Sequence, residues 1–335
     1  MSRRLRLRPS VLVPSSLVAT LAVVAGCSSS PGNNATSSAT GGSYPVVLDD
    51  CGTTVRVDAP PQRVVTIKSS TTELLLALGL GDRIVGRAYP DGPLPDDLAS
   101  TTTAPVIADK VPGAEAVLAL EPDFVYAGWE SNLTADGAGD RGTLAGLGVA
   151  TYVSPAACRE PGYQPDPLTF DDVWAEIGEV GTIFGVSDAA DALVAQQKAA
   201  LAAVTPVADG QGDRPTVLWY SSASDTPYVG AGIGAPQMIM DAAGLDNVFA
   251  DVHDSWTSVG WEDVVARDPD VIVLVDAQWS SAEKKIGILE ENPATAQLTA
   301  VREHRYLVVP FAATEAGVRN VEAVTSLVEQ YQALG

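Results

Sequence analysis

Apolar positions along this chain follow two periods in alternation. Val46-Val47-Leu48 and Val55-Arg56-Val57 flank the polar turn Asp49-Asp50-Cys51-Gly52, which predicts an entry hairpin. Residues 63–67 are a β-branched run and read as a buried strand. Thr71 or Thr72 can cap a helix over 73–78, which stops at Gly79. A second short strand spans 83–86. A helix over 114–120 halts before Pro122, and a strand over 123–126 follows. A helix over 143–147 ends at Gly148 and leads into a strand over 149–153. Strands alternating with helices predict a parallel sheet covered on both faces.

A helix over 171–184 comes next, and Ser187 caps a longer one. In it Ala189, Leu193, Gln196, Ala200 and Val204 recur at helical spacing, with no Gly or Pro from 188 to 205. That suits a stiff connector. The pattern then repeats: a strand over 216–220, a polar loop, and a helix over 235–243 that ends at Gly244-Leu245, as the early helix ended at Gly79-Leu80. Glu115-Ala-Val-Leu-Ala-Leu-Glu-Pro-Asp-Phe-Val echoes Glu262-Asp-Val-Val-Ala-Arg-Asp-Pro-Asp-Val-Ile at matching offsets. The expected fold is α/β: two similar lobes with mainly parallel sheets, joined by a single long rigid α-helix. The lobes are expected at 44–185 and 208–335, with the helix at 186–207.

The N-terminus breaks this pattern. Arg3, Arg4, Arg6 and Arg8 precede an apolar stretch over 11–25, too short for a stable membrane span. Val24-Ala25-Gly26-Cys27 reads as a lipobox. The expectation is a signal peptide at 1–26, a lipidated Cys27 and an uncharged Ser/Gly/Asn/Thr tether to residue 43. The plainer reading is an ordinary signal peptide with an incidental cysteine. Two acyl chains hold a protein on a bilayer, at roughly 0.8 kcal/mol per buried CH₂. The chain is thus expected on the extracytoplasmic side of the cell membrane, touching it through the lipid alone.

The formal net charge is −22, and the signal carries four of the 20 basic residues and none of the 42 acidic ones. The remainder carries 16 basic residues against 42 acidic, a net −26. Such a surface disfavours nucleic acid and anionic membranes. With Cys27 lipidated, Cys51 and Cys158 remain as one pair, free or bonded. Bonded, they close a loop worth about 4.7 kcal/mol on the chain-entropy model. His253 and His304 are the only histidines, too few for an imidazole-based metal cage. No metal or resident cofactor is expected.

Arg63-Val-Val-Thr-Ile, Thr72-Glu-Leu-Leu-Leu-Ala-Leu-Gly, Arg83-Ile-Val-Gly and the Glu115 helix with Pro122-Asp123 occur in order behind the lipobox. In this the chain resembles the helical-backbone (class III) solute-binding proteins, which serve ABC importers of ferric siderophores, haem and cobalamin. The resemblance runs from about Val46 to the C-terminus. It implies a monomer that delivers a small molecule to an ABC permease with its ATPase. It also implies that Glu115 and Glu262 dock into arginine pockets of the permease; the plain alternative is that both simply favour a helix N-terminus. Lys68-Ser-Ser-Thr-Thr-Glu, Asp91-Gly-Pro-Leu-Pro-Asp-Asp, Lys110-Val-Pro-Gly, Tyr126-Ala-Gly-Trp-Glu-Ser-Asn and Gly162-Tyr-Gln-Pro-Asp look like an actinobacterial subgroup assigned to F420-0, a precursor of the deazaflavin coenzyme F420.

Ligands of two-lobe α/β proteins sit outside the carboxyl ends of the strands. The loops there offer Lys68, Ser69, Ser70, Thr71, Tyr89, Lys110, Trp129, Tyr220, Trp256, Trp279 and Arg319 as ligand contacts. Tyr89, Trp129, Tyr220, Trp256 and Trp279 can stack on rings. Lys68, Lys110 and Arg319 are isolated cations, and Lys68 with Ser69, Ser70 and a helix N-terminus can hold a phosphate or carboxylate. Trp129 and Tyr220 fit a lobe core equally well, and Lys110 a solvated loop. A flat anionic ligand matches a deazaflavin phospholactate and also a ferric catecholate. An enzyme is not expected: Gly230-Ala-Gly232-Ile-Gly234-Ala235 only superficially resembles a dinucleotide loop, and no Gly-x-Ser-x-Gly elbow occurs. An exported enzyme and a receptor-linked sensor module remain open as alternatives.

Overall fold

The structure is a computed structural model describing residues 43–208 and 214–335. The signal peptide expected at 1–26, Cys27 and all of the tether but Ser43 lie outside the described residues. The entry hairpin forms as expected. Strands β1 (Val46–Asp50) and β2 (Thr53–Val57) pair antiparallel. Gly52 in their turn sits at φ 76°, where the absence of a Cβ matters.

The first sheet uses β3 (Val64–Ile67), β4 (Ile84–Ala88), β5 (Val106–Ala108), β6 (Phe124–Ala127) and β7 (Ala150–Val153). They are all parallel, in the order β5–β4–β3–β6–β7. Strands β3 and β6 are buried at every residue, because apolar clusters cover both faces. The helices of this lobe are α1 (Ser69–Ala77), α2 (Asp96–Ala99), α3 (Ala114–Leu118) and α4 (Arg141–Gly146). Helix α1 begins before the expected Thr caps. Thr71 Oγ1 instead donates to the carbonyls of Ile67 and Lys68, and Thr72 Oγ1 to that of Lys68.

Helices α5 (Phe170–Phe184) and α6 (Ser187–Ala203) lead to the second lobe. Its strands are β8 (Thr216–Ser222), β9 (Tyr228–Gly230), β10 (Asp246–Asn247), β11 (Trp256–Ser258), β12 (Val271–Asp276) and β13 (Tyr306–Pro310). The order is β11–β9–β8–β12–β13, with β10 beside β8. Strands β8, β10, β12 and β13 pair parallel, while β9 pairs antiparallel with β8 and β11. Helices α7 (Ala235–Ala243), α8 (Trp261–Arg267), α9 (Ala282–Glu291), α10 (Thr299–Arg302) and α11 (Asn320–Ala333) complete it.

The internal repeat has a local cause. Glu121 and Asp268, at matching offsets, both take positive φ (47° and 38°), which turns the chain out of α3 and α8 into Pro-Asp. Asp123 then accepts from the backbone N–H groups of Gln62 and Arg63 (2.8 and 2.9 Å), and Asp270 from that of Thr216 (2.8 Å). Each Pro-Asp thus pins the start of the first strand of its own sheet.

The connector expected as one helix is present as α6, and α5 doubles it. Helix α5 starts in the second lobe's core with Val173 and finishes in the first lobe's core with Ile177, Val180, Ile183 and Phe184. Helix α6 returns, packing Ala190, Leu193 and Val194 on the first core and Leu201 on the second. The two run antiparallel: Gly181 faces Ala190, and Trp174 Nε1 donates to Gln197 Oε1 at 3.2 Å.

Candidate functional site

In each sheet the strand order reverses beside the first strand, between β3 and β6 and between β8 and β12. Loops after those strands splay apart there and leave a crevice. A cavity of about 920 Å³ lies between the two lobes at this edge. Trp129 enters it from the loop after β6 and Trp279 from the loop after β12.

Aromatic rings face the cavity from both sides. The first lobe contributes Tyr89 and Trp129, set edge to face with centroids 5.6 Å apart. The second contributes Tyr228 and Trp256, stacked at 6.0 Å and 15°, and Trp279, edge to face with Phe311 at 5.6 Å. Trp279 is half exposed, with a ring face available to a ligand. The C-terminal loop also ties the lobes together, since Trp129 Nε1 donates to Glu315 Oε2 at 2.6 Å. Burial pushes the Glu315 carboxyl up to about 7, against the pull of Lys68.

Of the expected contacts, Ser70, Tyr89, Lys110, Trp129, Trp256 and Trp279 line the cavity. Five others do not, and each has a physical reason. Lys68 is 1% exposed, paired with Asp91, with its ammonium 3.8 Å from the Trp129 ring centroid and near the Tyr89 and Phe311 rings. A cation so buried does not reach the cavity; it braces the rings from behind. Ser69 is engaged twice with Asp91: its N–H donates to Oδ2 and its Oγ accepts from the Asp91 N–H. Thr71 is buried against its own helix start. Tyr220 is buried against Trp261, and its hydroxyl donates to the Ala223 carbonyl. Arg319 turns away, bonded to Glu322 and 3.8 Å from Glu73.

The cavity also holds residues that the sequence reading missed. Arg159, Gln164, Tyr228, Phe311 and Glu315 line it. Arg159 had a signal as the neighbour of Cys158, and Gln164 as part of the Gly162-Tyr-Gln-Pro-Asp motif. Lys110 and Arg159 make no side-chain hydrogen bond or ion pair with any described residue. Most other cations among the described residues are paired or bonded to carbonyls, as Arg63, Arg83 and Lys285 are. The expected disulfide is present: Cys51 and Cys158 are bonded, with Cα atoms 5.2 Å apart. The Gly230–Ala235 segment lies in part on the cavity wall, where Gly234 and Ala235 contribute. Glu115 and Glu262 are exposed, in the first turns of α3 and α8.

Comparison with known proteins locates this architecture. The family model described as "Periplasmic binding protein" matches residues 64–313. An uncharacterized ABC transporter substrate-binding lipoprotein of Bacillus subtilis is 27% identical over 291 residues, covering 85% of each chain. A cobalamin-binding protein of Halobacterium salinarum is 30% identical over 238 residues, 69% of this chain and 58% of that relative. Among solved structures, a periplasmic binding protein from Veillonella parvula superposes with a TM-score of 0.74 at 25% identity, covering 87% of this chain and 97% of its own. An ABC-type Fe3+-hydroxamate transport system structure from Saccharomonospora viridis gives 0.71 at 27%, covering 86% and 99%.

Proposed function

The chain belongs to the periplasmic binding protein family, and we propose that within it this member is the solute-binding lipoprotein of an ABC importer. It is a binding protein rather than an enzyme, as its relatives are. The ligand is of the siderophore, haem or cobalamin type in size and ring content, and our specific choice is the deazaflavin precursor F420-0. One observation carries that choice: two unpaired cations, Lys110 and Arg159, stand beside facing aromatic walls in a strongly acidic chain. Rings stack on the walls while the cations take a phosphate or carboxylate. The volume suits a molecule of cofactor size. Ferric siderophore, haem and cobalamin are the competing occupants.

In this reading the mature protein is a monomer held on the outer face of the cell membrane by lipid on Cys27. The sequence places the first lobe at 44–185, the connecting helix at 186–207 and the second lobe at 208–335; counting α5 as part of the connector moves the first boundary to before Phe170. Glu115 and Glu262 contact the permease. A helix leading into a parallel strand starts at the carboxyl edge of its sheet, so each glutamate lies toward that edge of its own lobe. The protein purified after exposure to cell extract should carry, in native mass spectrometry, a mass matching F420-0, and F420-0 should quench its tryptophan fluorescence. Recovery of an iron chelate, haem or corrinoid instead, without quenching by F420-0, would reject the choice.

A further inference from the structure

We propose that residues 154–168 are a strap whose place on the cavity wall is fixed by the Cys51–Cys158 disulfide. We further propose that this fixing makes the cleft prefer anionic over neutral ring ligands, through Arg159. The second statement rests on the ligand class proposed above.

The strap leaves the end of β7 and runs to α5, and Ala156, Ala157, Arg159, Gln164, Pro165 and Leu168 line the cavity along it. Its start is held by three consecutive residues of the entry hairpin. Asp49 Oδ2 accepts the Tyr163 hydroxyl at 2.9 Å. Asp50 is buried, and its carboxylate accepts from Arg141 Nη2 and from the Val153 N–H at 3.0 Å. Cys51 is bonded to Cys158, and both cysteines are buried. The Tyr163 ring also lies over Gly52, 3.5 Å from where a Cβ would sit. Arg159 follows the bonded cysteine directly. Its backbone N–H donates to Glu130 Oε2 at 2.5 Å, which leaves the guanidinium free on the cavity wall.

The far end of the strap belongs to the second lobe. Gln164 Nε2 donates to Ser255 Oγ at 2.7 Å, and the Leu168 N–H to the Ile233 carbonyl at 2.8 Å. Asp166 lies 3.0 Å from His253. The strap is therefore covalently fixed at one end and held at the other by hydrogen bonds and by Leu168, which is buried in the second lobe's core. Arg159 is held at the covalent end, by the adjacent disulfide and by its backbone bond to Glu130, and no regular element spans residues 158–169. A disulfide placed merely for stability would do equally well far from the cleft.

The test uses the full chain, with flavin mononucleotide and riboflavin as probes that share a flat ring system and differ by a phosphate. Tris(2-carboxyethyl)phosphine reduces the disulfide to two thiols and becomes its oxide, with oxygen from water. Reduction should raise hydrogen exchange at least tenfold across 154–168 and leave β3 and β6 protected. It should weaken flavin mononucleotide binding at least tenfold and riboflavin binding less than twofold. Tyr163→Phe, which keeps the disulfide, should shift both readouts in the same direction by a smaller factor. Unchanged strap exchange, exchange that rises across the whole lobe, or equal weakening of both probes would each overturn the inference. If the oxidised chain binds neither flavin, the ligand class proposed above fails, and the exchange pattern alone upholds or overturns the strap.

Discussion

Glu73 shows how much a single residue can matter at the lobe junction. It is buried on α1, and neither carboxylate oxygen has a hydrogen-bond partner. Its nearest cation is Arg319, 3.8 Å away on the second lobe. Burial pushes its carboxyl up to about 7, more than Arg319 pulls it down. The unfolded chain releases this proton near ~4.3. Between those values the folded state holds the proton and the unfolded state does not. The resulting stability is fully present below the unfolded value and is lost as pH rises through about 7. Glu73→Gln removes the dependence. Urea unfolding should show the variant gaining on the wild type by on the order of 2 kcal/mol between pH 4.5 and pH 8. Glu176 and Glu315 shift in the same direction in both proteins and cancel in the difference. A difference that does not change with pH would assign the effect to packing instead.

Among the elements, the paired helices α5 and α6 set the spacing of the lobes. Alanine favours a helix over glycine by about 1 kcal/mol. A Cβ on Gly181, however, would meet the Ala190 Cβ at 2.4 Å. Overpacking of that kind costs about 1–3 kcal/mol, so the clash prevails. Gly181→Ala should lower the unfolding free energy by about 1–2 kcal/mol, and adding Ala190→Gly should recover part of it. A more stable single variant would show that the helices do not touch there. This pairing also marks where the sequence stopped being readable. Periodicity located α5 and α6 to within two or three residues at most ends, but it does not say which core a face meets. Strands β5, β9, β10 and β11 are two or three residues long, too short to carry a period. At the site, loop residues next to strand ends were legible as a set. Lys68 and Arg319 misled because isolation in sequence hid their partners, Asp91 and Glu73. Tyr228 and Glu315 were hidden because a loop's direction depends on its neighbours in space.

At the scale of the whole molecule, the lobes are joined by more than the two helices. Trp129 reaches Glu315, Arg319 lies near Glu73, and Gln197 Nε2 donates to the Val318 carbonyl at 2.8 Å. Such ties favour small closing motions over wide hinge rotation. The docking role proposed for Glu115 and Glu262 puts one carboxylate on each lobe of an acidic chain, to face a basic permease surface. The double variant Glu115→Arg/Glu262→Arg should abolish solute uptake by cells while changing ligand affinity less than twofold. Unchanged uptake would remove the docking role.

The disulfide has a consequence for survival among proteases. All five strands of the first sheet, Val64 to Val153, lie between the bonded cysteines, which are 107 residues apart in sequence. That lobe is a covalent ring. A protease that hydrolyses one peptide bond inside it opens the ring and does not divide the chain. The new ends stay tethered, at high effective concentration, beside the strands they pair with. A nicked copy keeps both pieces together, where an open chain would lose one.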